Sequence, residues 1–396
     1  IIIFCCTQNF MNFYFITYIS QGDSHELSFA PGRIEFLGNH LDYNGGTVLG
    51  MAIDAGIYCL GVSTGEDSFT LESEGFPDAG VKGLLGNIEK QKGKLAWANY
   101  PLGVLLELQR KDLAPKKGFR LLFASDLPTS VGLSSSAALE LATALTLLNL
   151  AEKKVDSREL VSLCRAAENN FVGMPCGILD QGTSAHGKKN NLVRIDCRME
   201  SYQNLALPED TQAWIFDTGI KHDLVDSLYS VRHQECQDAL AKIRERFPAI
   251  ESLTSTELAK IGNSDLNENL RKRAIHVSEE QARVESFCRG IELNTSPQDL
   301  GKLLQQSHQS SSKNFENSCP ELDYLADTLN QHPSVHGARL TGGGFGGAVM
   351  AWTSPGFNES NASEITRLYE EQFNREAKWY RFQPSDGARP LDLLEI

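Results

Sequence analysis

The run Ser134–Leu150 carries a single charge, Glu140, along its whole length. A helix that apolar has to be buried nearly all round. The rest of the chain must therefore enclose it, and 396 residues are enough for two ordinary domains, each with its own core. Just upstream, Phe119, Leu121 and Phe123 alternate as a strand does, and Asp126-Leu127-Pro128 ends that strand. Just downstream, Asp156 with Glu159 three residues on forms a capping box. Leu160, Leu163, Cys164, Ala167 and Phe171 then share one helical face, and Gly173 is a stop.

Strand and helix patterns alternate from about Leu27 onward, without repeats or low-complexity tracts. Asn191–Asp196 and Ala213–Thr218 read as strands, and the polar, Pro-containing stretch Ser201–Gln212 between them is where a domain boundary is expected. The segment Asp223–Gln306 is helical in pattern and heavily charged. A last α/β portion holds the glycine cluster Gly342–Gly347 and the strand Ala348–Thr353. The expectation is a two-domain α+β protein, with residues 22–205 and 206–396 as its domains.

The composition is that of a globular protein, 41% hydrophobic and 22% charged, with a formal net charge of −14. That balance argues against a nucleic-acid partner, since a phosphate backbone calls for a basic face. A bound phosphate group would be held by local devices instead: backbone N–H groups, a metal and one or two placed cations. The nine cysteines are scattered and include no C-x-x-C pair, so a reduced, cytoplasmic protein without a disulfide framework or zinc site is expected. The triplets at Asn294, Asn358 and Asn361 then carry no meaning as glycosylation sites. Ile1–Ile19 is uncharged and rich in Ile and aromatics, but lacks a basic n-region and a small-residue cleavage site. Residues 1–21 are read as an extension or misassigned start rather than a membrane anchor.

The sharpest local feature is Ser130-Val131-Gly132-Leu133-Ser134-Ser135-Ser136, between the strand and the apolar helix. Small residues let the backbone close around a triphosphate, and free N–H groups at the helix start favour negative charge. Serine hydroxyls add donors, and one can ligate Mg²⁺. No Gly-Lys-Ser/Thr follows, so this is not a Walker A loop. The same residues would also serve as a Ser-rich N-cap on a core helix. Glu168 sits at the edge of an apolar helix face, where a carboxylate is costly unless paired or metal-bound. Asp180, in a mostly apolar loop, is a candidate for contact with a substrate hydroxyl or for capping a turn.

Three segments together resemble the GHMP kinases, and within them the galactokinase family. They are Ala30-Pro31-Gly32-Arg33-Ile34-Glu35-Phe36-Leu37-Gly38-Asn39-His40-Leu41-Asp42-Tyr43-Asn44-Gly45-Gly46, the Ser-rich loop, and Leu340-Thr341-Gly342-Gly343-Gly344-Phe345-Gly346-Gly347. The last cluster leads into a strand rather than from a strand into a helix, so it is not a Rossmann fingerprint. Trp97-Ala98-Asn99-Tyr100, Gly173–Gln181 and Asp217–Cys236 are similar to family segments in order and spacing. The resemblance covers nearly everything from Leu27 to the end. It implies a two-domain GHMP kinase fold, with an N-terminal ribosomal-protein-S5-like α/β domain and a C-terminal ferredoxin-like α+β domain. It also implies an ATP-dependent kinase that phosphorylates the anomeric hydroxyl of a hexose.

Position by position, the resemblance gives Asp180 the proton of the anomeric hydroxyl, as base or electrostatic guide. Arg33 would pair with Asp180 and stabilise charge on the transferring phosphoryl group. Ser136 and Glu168 match the family's Mg²⁺ ligands, and residues 130–136 its triphosphate loop. Trp97 matches a position near the adenine, although a core tryptophan fits equally. Asn39, His40, Asp42, Gly177 and Tyr229 match sugar-contacting positions; Tyr229 could also be an ordinary helix-face aromatic. The implied partners are a small-molecule sugar and ATP–Mg²⁺, with no nucleic acid or membrane, acting on a monomer.

Two positions depart from the family. Gly38-Asn39-His40 stands where galactokinases usually have Gly-Glu-His, whose Glu accepts a hydrogen bond from the hydroxyl at the far end of the hexose. Asn39 is neutral and can donate as well as accept, which would relieve repulsion of an acidic sugar. Glu35 stands where Asn is common. Kinases for a uronic acid or an amino sugar therefore remain alternatives to a galactose kinase. A non-catalytic sugar and nucleotide sensor would be expected to have lost the phosphate loop, Asp180, Arg33 or Glu168, and all are present. The Asn39–Gly46 segment and Tyr229 argue against a mevalonate or homoserine kinase.

Overall fold

The structure is a computed structural model that describes residues 25–128, 131–174, 176–220 and 225–392; the leading residues 1–21 lie outside them. Two long strands, β1 (His25–Leu37) and β2 (Thr47–Ser63), pair antiparallel in a register that sets Leu27 opposite Leu60 and Glu35 opposite Gly50. Both are buried almost without interruption, as strands covered on both faces must be. β3 (Ser68–Ser73), β4 (Val81–Leu84), β5 (Phe119–Ser125) and β12 (Arg389–Leu391) extend this sheet in the order β12-β1-β2-β5-β3-β4. β6 (Asn191–Asp196) pairs with the start of β2, and β7 (Ser201–Ala206) pairs with β6.

β7 departs from the separating stretch expected over Ser201–Gln212. Gln203 and Asn204, on opposite faces, are both exposed and only Leu205 is buried, so a polar, largely exposed sequence serves as an edge strand. The strands expected at Phe119–Phe123, Asn191–Asp196, Ala213–Thr218 and Ala348–Thr353 form within a residue or two of those limits.

Helix α1 (Asn99–Arg110) precedes β5. Helix α2 (Ser135–Leu150) is the apolar run, and it packs on β1 and β2. Even Glu140 in it is fully buried. Gly61 on β2 permits the close approach: a Cβ there would stand 2.5 Å from Cγ2 of Thr146. Helix α3 (Ser157–Ala166) is capped by Asp156, which accepts the Glu159 N–H at 2.8 Å. It then widens into a π turn over Ala167–Val172 and ends at Gly173, whose φ is 87°. Helix α4 (Leu179–His186) follows at once.

The second sheet orders β11 (Lys378–Phe382), β8 (Gln212–Asp217), β10 (Ala348–Thr353) and β9 (Val335–Thr341), all antiparallel. Alternation divides its side chains: Ala213, Ile215, Ala348, Met350 and Trp352 join the main core, while Trp214, Phe216, Val349 and Ala351 form a second core. Between β8 and β9 run α5 (Val225–Arg246), α6 (Leu258–Gly262), α7 (Glu268–Glu292), α8 (Pro297–Ser310) and α9 (Pro320–Asn330). Helix α9 and α10 (Glu359–Phe373) cover the second core.

Glu280 of α7 is fully buried and holds the turn after β1. It accepts the N–H groups of Gly38 and Asn39 at 3.0 and 3.1 Å, the Ser307 hydroxyl at 2.7 Å and Nε of Arg283 at 2.7 Å. Burial alone would raise its pKa, but Arg283, His276 and Arg339 outweigh that and bring it down to about 2. A depressed acid stabilises the fold above its ordinary value of 4.5, and the contribution is lost as pH falls toward 2. Glu280→Gln leaves Arg283 without its buried counter-charge and is expected to cost about 3 kcal/mol, read from the midpoint of urea unfolding at neutral pH.

Candidate active site

Arg33 reaches its position because β1 continues to Leu37 with Arg33 and Glu35 two residues apart, on one face of the strand. The Arg33 side chain is 8% exposed, and its Nε and Nη2 both lie 2.7 Å from Oδ1 of Asp180. Nη1 donates to the Gly132 carbonyl at 2.7 Å, and the Arg33 backbone N–H donates to the Leu133 carbonyl at 3.0 Å. Asp180 stands in the first turn of α4, and its Oδ2 accepts the Ser134 hydroxyl at 2.5 Å. One guanidinium thus joins β1, the serine loop and the start of α4.

The serine loop enters α2 with Gly132 and Ser134 in the left-handed region, at φ 75° and 54°. Val131 and Leu133 send their side chains into the core, while Gly132 and Ser135 are exposed. Facing the loop, Gly342, Gly344, Phe345, Gly346 and Gly347 have positive φ, from 60° to 119°. Such backbone conformations can gather N–H groups into concavities that suit anions. The two loops, with Arg33, Tyr100 and Pro128, line a cavity of about 370 Å³. Ser130 lies outside the described residues.

A second cavity, of about 220 Å³, shares Arg33, Gly342 and Gly343 with the first. Its other walls are Glu35, Asn39, His40, Asp42, Glu168, Met174, Cys176, Gly177, Leu179, Asp180 and Tyr229. Here the sugar-contacting positions expected from sequence come together. A Cβ at Gly177 would run into the Asp42 carboxylate, so this glycine gives Asp42 its place. His40 adopts φ 60° and packs against Phe315 and Tyr229 at ring separations of 4.4 and 5.2 Å. Its Nδ1 meets the Tyr43 hydroxyl at 2.9 Å and its Nε2 the Gly343 carbonyl at 3.2 Å. Burial, with His276 and Arg232 beyond, lowers the His40 pKa to about 3, so the imidazole is neutral at pH 7.

Between α2 and α4 lies an acidic cluster. Gln181 Nε2 bridges Glu140 Oε2 at 3.0 Å and Glu168 Oε2 at 2.6 Å, and Ser136 is within hydrogen-bond reach of Glu168. Burial, then Asp180, raises Glu168; burial, then Glu168, raises Glu140 well above the carboxylate range. Glu140 Oε1 is buried without a hydrogen-bond partner. Trp97 stacks on Phe76 at 5.9 Å and donates to the Ala79 carbonyl at 3.1 Å; the phosphate-loop cavity is reached by Tyr100 instead. Sequence reasoning missed Tyr100, Cys176 and Met174, although each lies in a segment it had singled out. It missed Asn317 and Arg339 altogether, because their contacts with Asn39 and Glu35 cross about 300 positions of sequence.

With the Arg33–Asp180 pair standing between an anion-binding backbone and a polar cavity of about 220 Å³, large enough for a small polyol, the geometry fits phosphoryl transfer to a small molecule. Residues 99–188 match the family described as GHMP kinases N terminal domain, residues 285–374 GHMP kinases C terminal, and residues 17–61 the galactokinase galactose-binding signature. The chain is 33% identical to the galactokinase of Bacillus subtilis (strain 168) over 381 residues, covering 95% of this chain and 97% of that one. It is 33% identical to the galactokinase of Fusobacterium nucleatum over 368 residues, 92% and 94% of the two chains. The crystal structure of Lactococcus lactis galactokinase complexed with galactose superposes with a TM-score of 0.90 at 32% identity, over 96% of this chain and 99% of that one. Methanococcus jannaschii mevalonate kinase, at a TM-score of 0.65 and 20% identity over 93% and 100% of the chains, shares the fold. The chain belongs to the galactokinase family of the GHMP kinases. Its activity class is that of a sugar kinase.

Asp42 yields a pH test. Burial, then the charges of Glu35 and Asp180, raise its pKa from 3.8 to about 7. A raised acid contributes stability below its ordinary value, lost as pH rises through about 7. Its ionised form is the better acceptor for hydroxyls. KM for the sugar is therefore expected to fall as pH rises from about 6 to 8. In Asp42→Asn that dependence should disappear and KM should be high throughout, as steady-state kinetics on both chains would show.

Proposed function

We propose that the chain transfers the γ-phosphoryl group of ATP to the anomeric hydroxyl of galactose. The observation that carries this reading is that Arg33, already bonded to Asp180, lines both cavities. A triphosphate held by the serine and glycine loops and a sugar held by the second cavity would meet across that one pair. The Lactococcus lactis relative bound to galactose supports the choice of sugar.

The roles follow from position. Asp180 accepts or steers the proton of the attacking hydroxyl, and Arg33 stabilises charge on the phosphoryl group as it moves. Such transfer passes through a loose transition state, so placement and electrostatics supply most of the rate. The backbone of Val131, Gly132 and Leu133, with Ser130, Ser134, Ser135 and Ser136, would cradle the triphosphate, and Trp97, which does not line that cavity, would stand near the adenine outside it. Asn39, His40, Asp42, Gly177 and Tyr229 would shape the sugar site.

Ser136 and Glu168 are the residues that would hold Mg²⁺. A hydroxyl and a carboxylate are hard oxygen donors, and Ser136 stands within hydrogen-bond reach of Glu168; among the described residues no three His, Cys, Asp or Glu side chains gather to hold a metal, so the other ligands would come from phosphate and water. When bound with ATP, the ion would offset charge on the phosphates. Among the described residues no helix is long and apolar enough to cross a membrane. A cytoplasmic monomer, divided near residue 206, completes the reading.

ADP release, measured with ATP–Mg²⁺ and a panel of galactose, galacturonate, N-acetylgalactosamine, glucose and arabinose, tests it. Galactose is expected to be turned over best, and turnover confined to another sugar would overturn the choice of galactose. Asp180→Asn should lower kcat by about 100-fold or more while sugar binding persists. Undiminished turnover would remove Asp180 from the chemistry. Glu168→Gln should raise the Mg²⁺ concentration needed for half-maximal rate.

A further inference from the structure

Glu35 is 4% exposed, yet it lines the cavity assigned above to the sugar. Its Oε1 accepts Nδ2 of Asn39 and Nη2 of Arg339, both at 3.0 Å. Among the described residues no donor reaches Oε2. A purely structural arginine–carboxylate pair is commonly bidentate and uses both oxygens. Here Arg339 turns its Nη1 to the carbonyls of Glu35 and Phe36 instead, at 3.2 and 3.3 Å.

Asn39 is in the opposite condition. Its Nδ2 donates to Glu35 Oε1 and to the Gly342 carbonyl at 2.9 Å. Its Oδ1 accepts Nδ2 of Asn317 at 2.9 Å and the Ser311 hydroxyl at 3.3 Å. Both amide protons and both lone-pair directions are in use. A sugar hydroxyl could bond to Asn39 only by displacing one of these partners.

From these contacts we infer that Glu35 is a specificity residue of this kinase: its Oε2 accepts a hydrogen bond from a sugar hydroxyl remote from the anomeric carbon, while Asn39 clamps Oε1. The inference rests on the reading of the second cavity as the sugar site. Distance along β1 selects a remote hydroxyl. Glu35 is two residues from Arg33, roughly 6–7 Å along the strand, which is comparable with the span of a hexopyranose. With the anomeric hydroxyl at Asp180, a hydroxyl on C4 or C6 is the one brought toward Glu35. The same carboxylate opposes an acidic sugar, since Asp42 and Asp180 already share the cavity. The relief of repulsion expected from Asn39 is therefore cancelled by Glu35, and a neutral hexose is the preferred class.

The experiment measures kcat and KM with ATP–Mg²⁺ on galactose, 4-deoxygalactose, 6-deoxygalactose and galacturonate, for the unaltered chain and Glu35→Gln. KM for galactose should rise about 10- to 100-fold in Glu35→Gln, as expected when a buried hydrogen bond to the sugar is lost and its partner left unpaired, with KM for ATP unchanged. On the deoxy sugar that lacks the paired hydroxyl, the two chains should agree within about twofold. Galacturonate should be the poorest substrate of the unaltered chain. An unchanged KM, or an equal loss on all four sugars, would overturn the assignment.

A thermal melt shows whether Glu35→Gln folds. If it does not, the unaltered chain decides alone, because phosphorylation of both deoxy sugars as efficiently as galactose would mean that neither hydroxyl is read. Absence of turnover on every sugar would remove the sugar-kinase reading and Glu35 with it. Turnover with Glu35→Gln unimpaired would remove Glu35 only.

Discussion

Arg33 directs its side-chain donors two ways, to Asp180 and to the Gly132 carbonyl, while its backbone N–H bonds Leu133. Because the guanidinium is planar, fixing one of these contacts constrains the direction of the other. The acid at the start of α4 and the loop before α2 therefore cannot move independently of β1. A lysine ammonium would supply the charge but not this geometry. Burial strengthens the arrangement, since the Arg33–Asp180 pair is poorly screened by solvent.

The outer layer serves the turn after β1. Gly38 and Asn39 donate their N–H groups to Glu280, the Asn39 carbonyl faces His276 at 3.2 Å, and Asn39 also bonds Gly342. This turn carries His40 and leads to Asp42, so α7 and the glycine loop set where the sugar-facing side chains stand. His40 holds a left-handed conformation, which a non-glycine residue keeps only when its surroundings fix it. Phe315, Tyr43 and the Gly343 carbonyl are those surroundings here.

What could be read beforehand was local or motif-borne. The burial of α2, the N-cap at Asp156 and the strand after the glycine cluster depend on near neighbours in sequence and formed as expected, but the return half of the Asp156–Glu159 capping box did not, since the Glu159 carboxylate turns to Lys111. Arg33 and Asp180 stand 147 positions apart, and only the family resemblance joined them. Glu280 left no signal because a glutamate in a charged helical segment looks like a solvated face, whereas its partners come from Gly38, Asn39 and Ser307. Asn39 was visible as an odd residue, but its saturated hydrogen bonding was not. The polar edge strand β7 was taken for a separator because its buried positions are few.

The pairing of β12 with β1 bears on how the molecule is made. Leu27, Ser28 and Phe29 sit beside Leu391, Pro390 and Arg389, so one flank of the first sheet is supplied by the far end of the described chain. During translation, β1 and β2 emerge early and can pair as soon as both are available. Among the described residues, the outer edge of β1 at Leu27–Phe29 gains its strand partner only once the ribosome has made residues 389–391. A bare strand edge is a template for pairing with other chains. Among the described residues, the strand that covers this short stretch of margin is the latest in the chain, so its pairing closes only after the rest of the sheet has been made.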